Sequence, residues 1–534
     1  MSASSASASF RDLLRGGRFV YGVELVTTRG LLTDERSQDV VGFARGLLDN
    51  PRIGWISITD NPGGGPMLPP DWLAGKFAGR GGNVVIHLTC KDMNRTGLET
   101  AAWRYASEGF QNILALTGDY PTAGFRGLPN PVFDLDSGGL IALLRAMNDG
   151  LEVSGRGGKK EVLPKTDFFI GAAVSPFKRH ERELMPQYYK LLRKIRTGAQ
   201  WIIPQLGYDM RKFHEVKLLL ASRNMADVPV VGNVYLLTRG VANLFNSGKL
   251  AGCVVSDALL ATCEKYAAGP DKGQAFFREL AAKQLAVFRG LGFAAGYLGG
   301  TAKADTVARI IELAESYGAD DWREFIKEIQ FSQPDEFFLF EHDPKTGLGS
   351  PDRFNPQFVE SLVRPPKSKE VTLNYRLSRF VHRLAFTPGG GLHGWMQWLF
   401  RRWDKKPGIC GRAAYWLEGV SKHSLYGCQD CGDCNLPECA YLCPRFSCSK
   451  CGRNGPCGGS ADGRCELDDK ECIWARIYER LKSYGESQTM LDGPVAFYKA
   501  ELNRTSSWAN FYLQRDHAGE TKDAKENKPG QERT

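Results

Sequence analysis

The sequence predicts an α/β fold: a closed (β/α)8 TIM barrel followed by a small cysteine-rich, metal-binding domain of α+β or irregular structure. Three observations predict it. Over roughly the first 300 residues, short apolar runs rich in β-branched residues alternate with longer amphipathic ones, the pattern of parallel strands buried on both faces with helices between them. No GxGxxG follows the first apolar run, which disfavours a doubly wound open sheet. Of the 14 cysteines, ten lie between Cys428 and Cys472 in a chain of 534 residues, where dense CxxC spacing reads as metal ligation rather than disulfides.

The elements follow in order. The opening MSASSASAS lacks the basic and apolar regions of a secretory signal, so residues 1–14 are expected to be disordered and the protein cytoplasmic. The barrel is expected over 15–320. Its strands fall at FVYGVELV (19–26), IGWISIT (53–59), VVIHLTC (84–90), NILALTGD (112–119), FFIGAAV (168–174), WIIPQLGYD (201–209), PVVGNVYLL (229–237) and GFAAGYL (292–298). Between them, DERSQDVVGFARGLLDN puts Val40, Val41, Ala44, Leu47 and Leu48 on one helical face; LMPQYYKLLRKIRTGA and ADTVARIIELAESYG have the same character.

From 321 to 380 proline, glycine and charge predict a linker or irregular structure. The aromatic stretch GLHGWMQWLFRRWDKK, with Trp395, Trp398 and Trp403 beside Arg401 and Arg402, reads as a helix packing the metal domain onto the barrel, in preference to a membrane-surface or partner-docking helix. The metal domain spans 381–490 and ends in the helix CIWARIYERLKSYGE. Residues 491–534 are an extension, disordered towards the polar end RDHAGETKDAKENKPGQERT.

Composition narrows the function. Hydrophobic residues at 42%, charged residues at 24% and a net charge of +9 describe an ordinary soluble protein and give no sign of a nucleic-acid partner. No apolar run approaches the roughly 18–20 residues of a membrane span, so no stable membrane insertion is expected. Oligomeric state stays open.

In a parallel barrel, functional groups project from the C-terminal ends of the strands. Glu24, Thr59, His87, Asp119 and Gln205 stand there in otherwise apolar runs. A carboxylate buried in GVELV costs several kcal/mol unless it is paired or its pKa rises, and a raised pKa makes Glu24 a candidate general acid. Each polar group alone reads as one satisfied by a neighbouring barrel layer; five converging ones point to a site. The glycine loops DNPGGG and GYLGG read as tight turns rather than phosphate cradles.

In the cysteine block, Cys428, Cys431 and Cys434 form CxxCxxC and Cys443 precedes a proline, spacing that suits a [4Fe–4S] cluster better than zinc. Cys448, Cys451, Cys457, Cys465 and Cys472 offer a second site, for which iron–sulfur and tetrahedral zinc both stay open.

GVELV, ISITDNPGGG, VIHLTC, LALTGDYP and IPQLGYD match in order the strand-end motifs of methylenetetrahydrofolate reductases, a resemblance covering about residues 15–318. NGPCGGSADGRCEL with CIWARIYERLK resembles, over roughly 380–485, the C-terminal domain fused to or partnering some of these enzymes, where it looks like an electron-transfer or docking module. The resemblance implies an oxidoreductase acting on a CH–NH group with a non-covalent flavin, FAD or FMN, reversibly reducing 5,10-methylenetetrahydrofolate to 5-methyltetrahydrofolate. Its electrons come from NAD(P)H directly, or from a protein donor through the metal domain.

Carried over, Glu24 is the general acid and a folate contact, and Asp119 contacts pterin and flavin. Gln205 contacts folate, Thr59 and His87 the flavin, and Lys194 approaches the cofactor. The chain departs from the family at Thr117, where an arginine is usual, and at AAVSPFKRH, where Lys178 and Arg179 are expected to bind phosphate instead. Two other classes compete with the reductase: a zinc-ribbon scaffold, and a folate-binding accessory barrel without redox chemistry.

Overall fold

The computed structural model describes residues 8–77, 83–155, 158–405, 408–468 and 470–519. Eight parallel strands form the first domain: β1 (Val20–Leu25), β2 (Ile53–Ile58), β3 (Asn83–Thr89), β4 (Asn112–Leu116), β5 (Phe169–Val174), β6 (Trp201–Pro204), β7 (Val231–Tyr235) and β8 (Ala295–Gly299). Each overlaps the apolar run expected for it. Strands β1 to β6 pair in sequence, β8 joins β1, and β7 joins β8. A parallel bridge between Ile202 and Val230 closes the ring, the Ile202 N–H donating to the Pro229 carbonyl at 2.9 Å.

Side chains fill the barrel rather than leaving a pore: Trp55, Val85, Leu114, Phe169, Trp201, Val231 and Tyr297 pack together inside. Phe10 completes this core from below. It begins a helix, Phe10–Arg15, set by a capping box in which Ser9 and Asp12 satisfy each other's backbone N–H. The Phe10 ring centroid lies 4.9 Å from that of Trp55 and 5.4 Å from that of Trp201. The expectation of disorder over 1–14 is therefore corrected for 8–14, since one aromatic plugging the barrel floor fixes a segment whose composition alone looks unstructured. Residues 1–7 lie outside the described residues.

The supposed linker 321–380 is also corrected. It holds a helix Trp322–Glu328, a hairpin of Phe340–Asp343 with Leu348–Phe354, and helices Pro356–Val363 and Leu373–Val381. Its order comes from two charges buried on the barrel helix Met210–Ala221. The Glu215 carboxylate accepts the N–H groups of Leu339 (2.6 Å) and Phe340 (3.2 Å), and Lys212 donates to the Phe337 carbonyl at 2.5 Å. Nothing local in the segment announces those partners.

The aromatic helix His393–Lys405 does not carry the domain onto the barrel as expected. Its buried Phe400 stacks on Tyr512, 5.2 Å between centroids, while Trp395 and Trp398 face outward, each 57% exposed. Docking falls instead to the helix Ile473–Lys482, which packs on the barrel helix Glu181–Thr197. There the Tyr478 hydroxyl donates to Glu181 at 2.6 Å, and Arg182 pairs with Glu471 and Glu479.

The extension is built into the domain as well. A helix Ser507–Tyr512 carries the buried Tyr512, and His517 is buried against Asp433 at 2.5 Å. Disorder was expected towards this end; through residue 519 it is packed, and 520–534 lie outside the described residues. Among the described residues no helix is long and apolar enough to cross a membrane.

Candidate functional site

The C-terminal ends of the strands open into a cavity of about 280 Å³, at the small end of ligand pockets, which span ~300–1,000 Å³. Glu24, Thr59, His87, Asp119, Lys194 and Gln205 all line it. The two acids thus share one mouth, as strand polarity demands: β1 and β4 run parallel and their ends meet the same loops.

Burial pushes the Glu24 carboxyl up to about 7, against a weak opposing contact from the Tyr297 hydroxyl at 3.5 Å. Tyr297 is held flat on Trp55, centroids 5.2 Å apart and planes 10° from parallel. Gly299, at the end of β8, makes room for the acid: a Cβ there would stand 2.5 Å from Glu24 Oε2. His87 is buried, its pKa lowered to about 4, so its ring is neutral; its Nε2 shares a hydrogen bond with Ser57 Oγ at 2.7 Å. Thr59 is buried beside the Leu25 carbonyl. Asp119 accepts the Gly63 N–H at 2.8 Å, so the DNPGGG loop is folded onto the acid.

Lys194 lies on the helix Glu181–Thr197 and donates to the Ala173 carbonyl at 2.7 Å. Burial, with Lys190 adding, lowers it to about 7. Gln205 is oriented by the Leu206 N–H, which its Oε1 accepts at 3.0 Å.

Lys178 is not brought to the cavity. Its ammonium is buried and donates to the Gly458 carbonyl at 2.5 Å and to that of Ser460, both in the cysteine-rich domain. The phosphate role expected for it is thereby corrected: its donors are spent on backbone carbonyls. Lys190 behaves alike, donating to the Gly455 and Pro456 carbonyls at 3.1 and 3.0 Å beside Asp136.

Several lining residues escaped sequence reading. Tyr297 and Asn233 sit inside apolar strands. Gln187 is buried and its Nε2 has no hydrogen-bond partner among the described residues, an orphaned donor at the cavity wall. The available signal was spacing: Glu183, Gln187, Lys190 and Lys194 form a polar stripe at helical period, and all four are buried. Lys450, Cys457, Gly458, Gly459 and Glu466 also line the cavity, so the second domain forms part of its wall.

The first cysteine group gathers around a smaller cavity lined by Cys428, Cys431, Cys434 and Cys443, with Arg453 and Lys422 at its edge. Lys422 Nζ lies 3.3 Å from Cys434 Sγ. In the second group, burial pushes the Cys448 and Cys472 thiols up to about 12, with Cys457 adding to both and Cys465 to Cys472. The Gly452 and Gly459 N–H groups donate to the sulfurs of Cys448 and Cys457 at 3.4 and 3.5 Å. Among the described residues no three His, Cys, Asp or Glu side chains converge to hold a single metal ion.

Residues 54–288 match the family model described as methylenetetrahydrofolate reductase, and 412–497 the one described as methylene-tetrahydrofolate reductase C terminal. Methylenetetrahydrofolate reductase 2 of Saccharomyces cerevisiae is 29% identical over 192 residues, 36% of this chain; the match spans only 30% of the yeast protein's length. Two solved structures align with somewhat more than half of this chain. An uncharacterised protein from Clostridium thermocellum that binds two copies of 5-methyl-5,6,7,8-tetrahydrofolic acid aligns with 57% of this chain and 96% of its own, at 12% identity and a TM-score of 0.41. Yersinia pestis dihydropteroate synthase aligns with 56% and 93%, at 9% identity and a TM-score of 0.30.

Proposed function

Because its barrel belongs to the methylenetetrahydrofolate reductase family, with that family's C-terminal domain behind it, we propose that this protein reduces 5,10-methylenetetrahydrofolate to 5-methyltetrahydrofolate with a bound flavin. The observation that carries this reading is the convergence of Glu24 and Asp119 on one cavity, with the Glu24 carboxyl lifted to about 7.

The residues present suit a flavin ring: a polar wall with an orphaned amide donor at Gln187, a neutral His87, and a lysine, Lys194, close enough to neutrality to carry or release its charge. Thr59, His87 and Lys194 would hold the ring, Asp119 would face both ring systems, and Gln205 would hold the folate. When bound, the flavin supplies the hydride that converts the methylene carbon to methyl.

The protein's own contribution is the proton and the geometry. Opening the folate five-membered ring needs a proton at the departing nitrogen, and a half-buried carboxyl titrating near neutrality is protonated often enough to give it. Tyr297 and Gly299 fix where that proton sits. Asp119, held by the Gly63 N–H, would accept a hydrogen bond from a bound ring. The packed barrel core lies below the cavity and the second domain forms part of its wall, which would limit the access of water to the reacting atoms.

The four thiols around one cavity, with a cation 3.3 Å from one sulfur, suit a [4Fe–4S] cluster held by Cys428, Cys431, Cys434 and Cys443, which would accept electrons from a protein donor. NAD(P)H is the other source. The test is anaerobic purification with flavin identification and iron, sulfide and zinc quantitation, followed by the two half-reactions measured separately. Bound flavin oxidised by methylenetetrahydrofolate is the expected result. A protein that binds no flavin overturns the reading.

A further inference from the structure

The cavity that serves the reductase reading is walled partly by the cysteine-rich domain, and the residues there are charged. We propose that Lys450 and Glu466 are ligand-binding residues of the reductase site, a pair that takes the pyrimidine-type hydrogen-bonding edge of a fused-ring heterocycle held in the barrel mouth. This assignment rests on that reading and adds to it a contribution from the other domain.

Geometry carries it. Lys450 Nζ stands 3.0 Å from the Gly118 carbonyl at the end of β4, next to Asp119, and 2.5 Å from Glu466 Oε1. The two side chains are only 5% and 11% exposed, and both line the cavity. Burying an ion pair is at best a weak source of stability, because desolvation offsets the attraction, so its place at a ligand cavity calls for another reason.

The pair is also held in position. Gly459 lies against the Glu466 carboxylate so closely that a Cβ would stand 2.1 Å from it, and at Gly458, whose φ is +102°, a Cβ would meet Ser175 Oγ at 2.7 Å. A side chain at 459 would displace the Glu466 carboxylate, and one at 458 would be strained by the positive φ. The loop is fastened to the barrel from three sides: by Lys178 on the Gly458 and Ser460 carbonyls, by Lys190 on those of Gly455 and Pro456, and by Asp136 on the Asn454 N–H at 2.9 Å.

With one N–H on the Gly118 carbonyl and one on Glu466, the ammonium keeps a single donor for a ligand, beside the second oxygen of the carboxylate as an acceptor. The matching ligand has a carbonyl next to a ring N–H or an amidine. Both the pyrimidine ring of a pterin and that of an isoalloxazine present such an edge, and experiment separates them.

The full-length protein, purified anaerobically, is compared with Glu466→Gln, Lys450→Met and Lys450→Arg, with iron and zinc measured in each. Dissociation constants are determined for 5-methyltetrahydrofolate and for FMN, along with the flavin midpoint potential. Loss of a charged hydrogen bond weakens the ligand that uses it by about tenfold or more. If the pterin takes the edge, folate affinity falls in Glu466→Gln and Lys450→Met while flavin content stays the same. If the isoalloxazine takes it, flavin affinity falls and the potential shifts. Lys450→Arg retains part of either effect. In the wild-type protein, the matching ligand slows amide exchange across 456–466, a measurement that stands even where a variant fails to fold.

Folded variants with unchanged metal that bind both ligands as the wild type does overturn the assignment, as does an absence of protection by either ligand. A wild-type protein that takes up neither flavin nor folate sinks the reductase reading itself, whereas intact uptake with unaffected variants sinks this assignment alone.

Discussion

Glu24 is where sequence, burial and chemistry meet in one side chain. With its pKa near 7, its proton-donating form is lost as pH rises through about 7. Oxidation of the reduced flavin by methylenetetrahydrofolate should therefore fall about tenfold per pH unit well above 7, while flavin reduction by an artificial donor stays flat. Stopped-flow traces of the two half-reactions across pH check this. Glu24→Gln should slow the folate half-reaction by about 10²–10⁴-fold and leave the other largely intact. The stability sign is fixed too. A carboxyl whose folded pKa lies above its ordinary 4.5 contributes stability that is full below that value and lost as pH rises through about 7. Glu24→Gln should then raise the thermal midpoint at about pH 8 but not at about pH 4.5. Gly299→Ala offers a second handle: its Cβ would displace the carboxyl, so folate turnover should drop although the acid remains. At this scale the five strand-end polar groups were legible because a charge or amide in an apolar strand is conspicuous. Gln187, Lys450 and Glu466 were not, since only tertiary contact brings a helix stripe and a distant loop to the same wall.

The eight strands could be read in order because a parallel strand buried on both faces has few other ways to be written. Phe10–Arg15 could not. Six residues carry no period, and the evidence for the helix lies in the indole rings it meets. Phe10→Ala should cost about 3–5 kcal/mol, seen as a lower thermal midpoint with flavin content unchanged at low temperature, because the ring fills the floor of the barrel and not its mouth. Midpoints matching the wild type would make the helix an ornament. The linker was misread for a related reason: Lys212 and Glu215, which order it, lie on another helix more than a hundred positions earlier. The first group, Cys428, Cys431, Cys434 and Cys443, was read from spacing alone, and all four line one cavity. Cys431→Ala should lose iron and sulfide from this group; full retention of both would remove it as a ligand.

For the whole molecule, the contacts between domains decide whether the mouth is open or roofed. Asp136 stands at the centre of them. One carboxylate oxygen caps the helix Ser137–Asp149 through the Gly138 and Gly139 N–H groups; the other accepts the Asn454 N–H, with Lys190 3.7 Å away. Burial alone would raise its pKa, but Lys190 and the N–H groups of Gly139 and Asn454 hold the carboxyl below the ordinary range, so it is ionised. Removing it strands the Lys190 ammonium in a buried place, at about 3–5 kcal/mol, and releases the loop at the same time. Asp136→Ala should therefore expose amides 454–460 to rapid exchange and loosen the second domain, whereas Asp136→Asn, which can still cap the helix, should loosen it less. Lys178→Met acts on the same loop from its far side without touching Asp136. Because the two anchors hold one rigid segment, the double variant should cost less than the sum of the single ones. Strict additivity in exchange free energies would mean that the loop is fastened at two independent points, and that the roof over the mouth can lift at one end while the other stays closed.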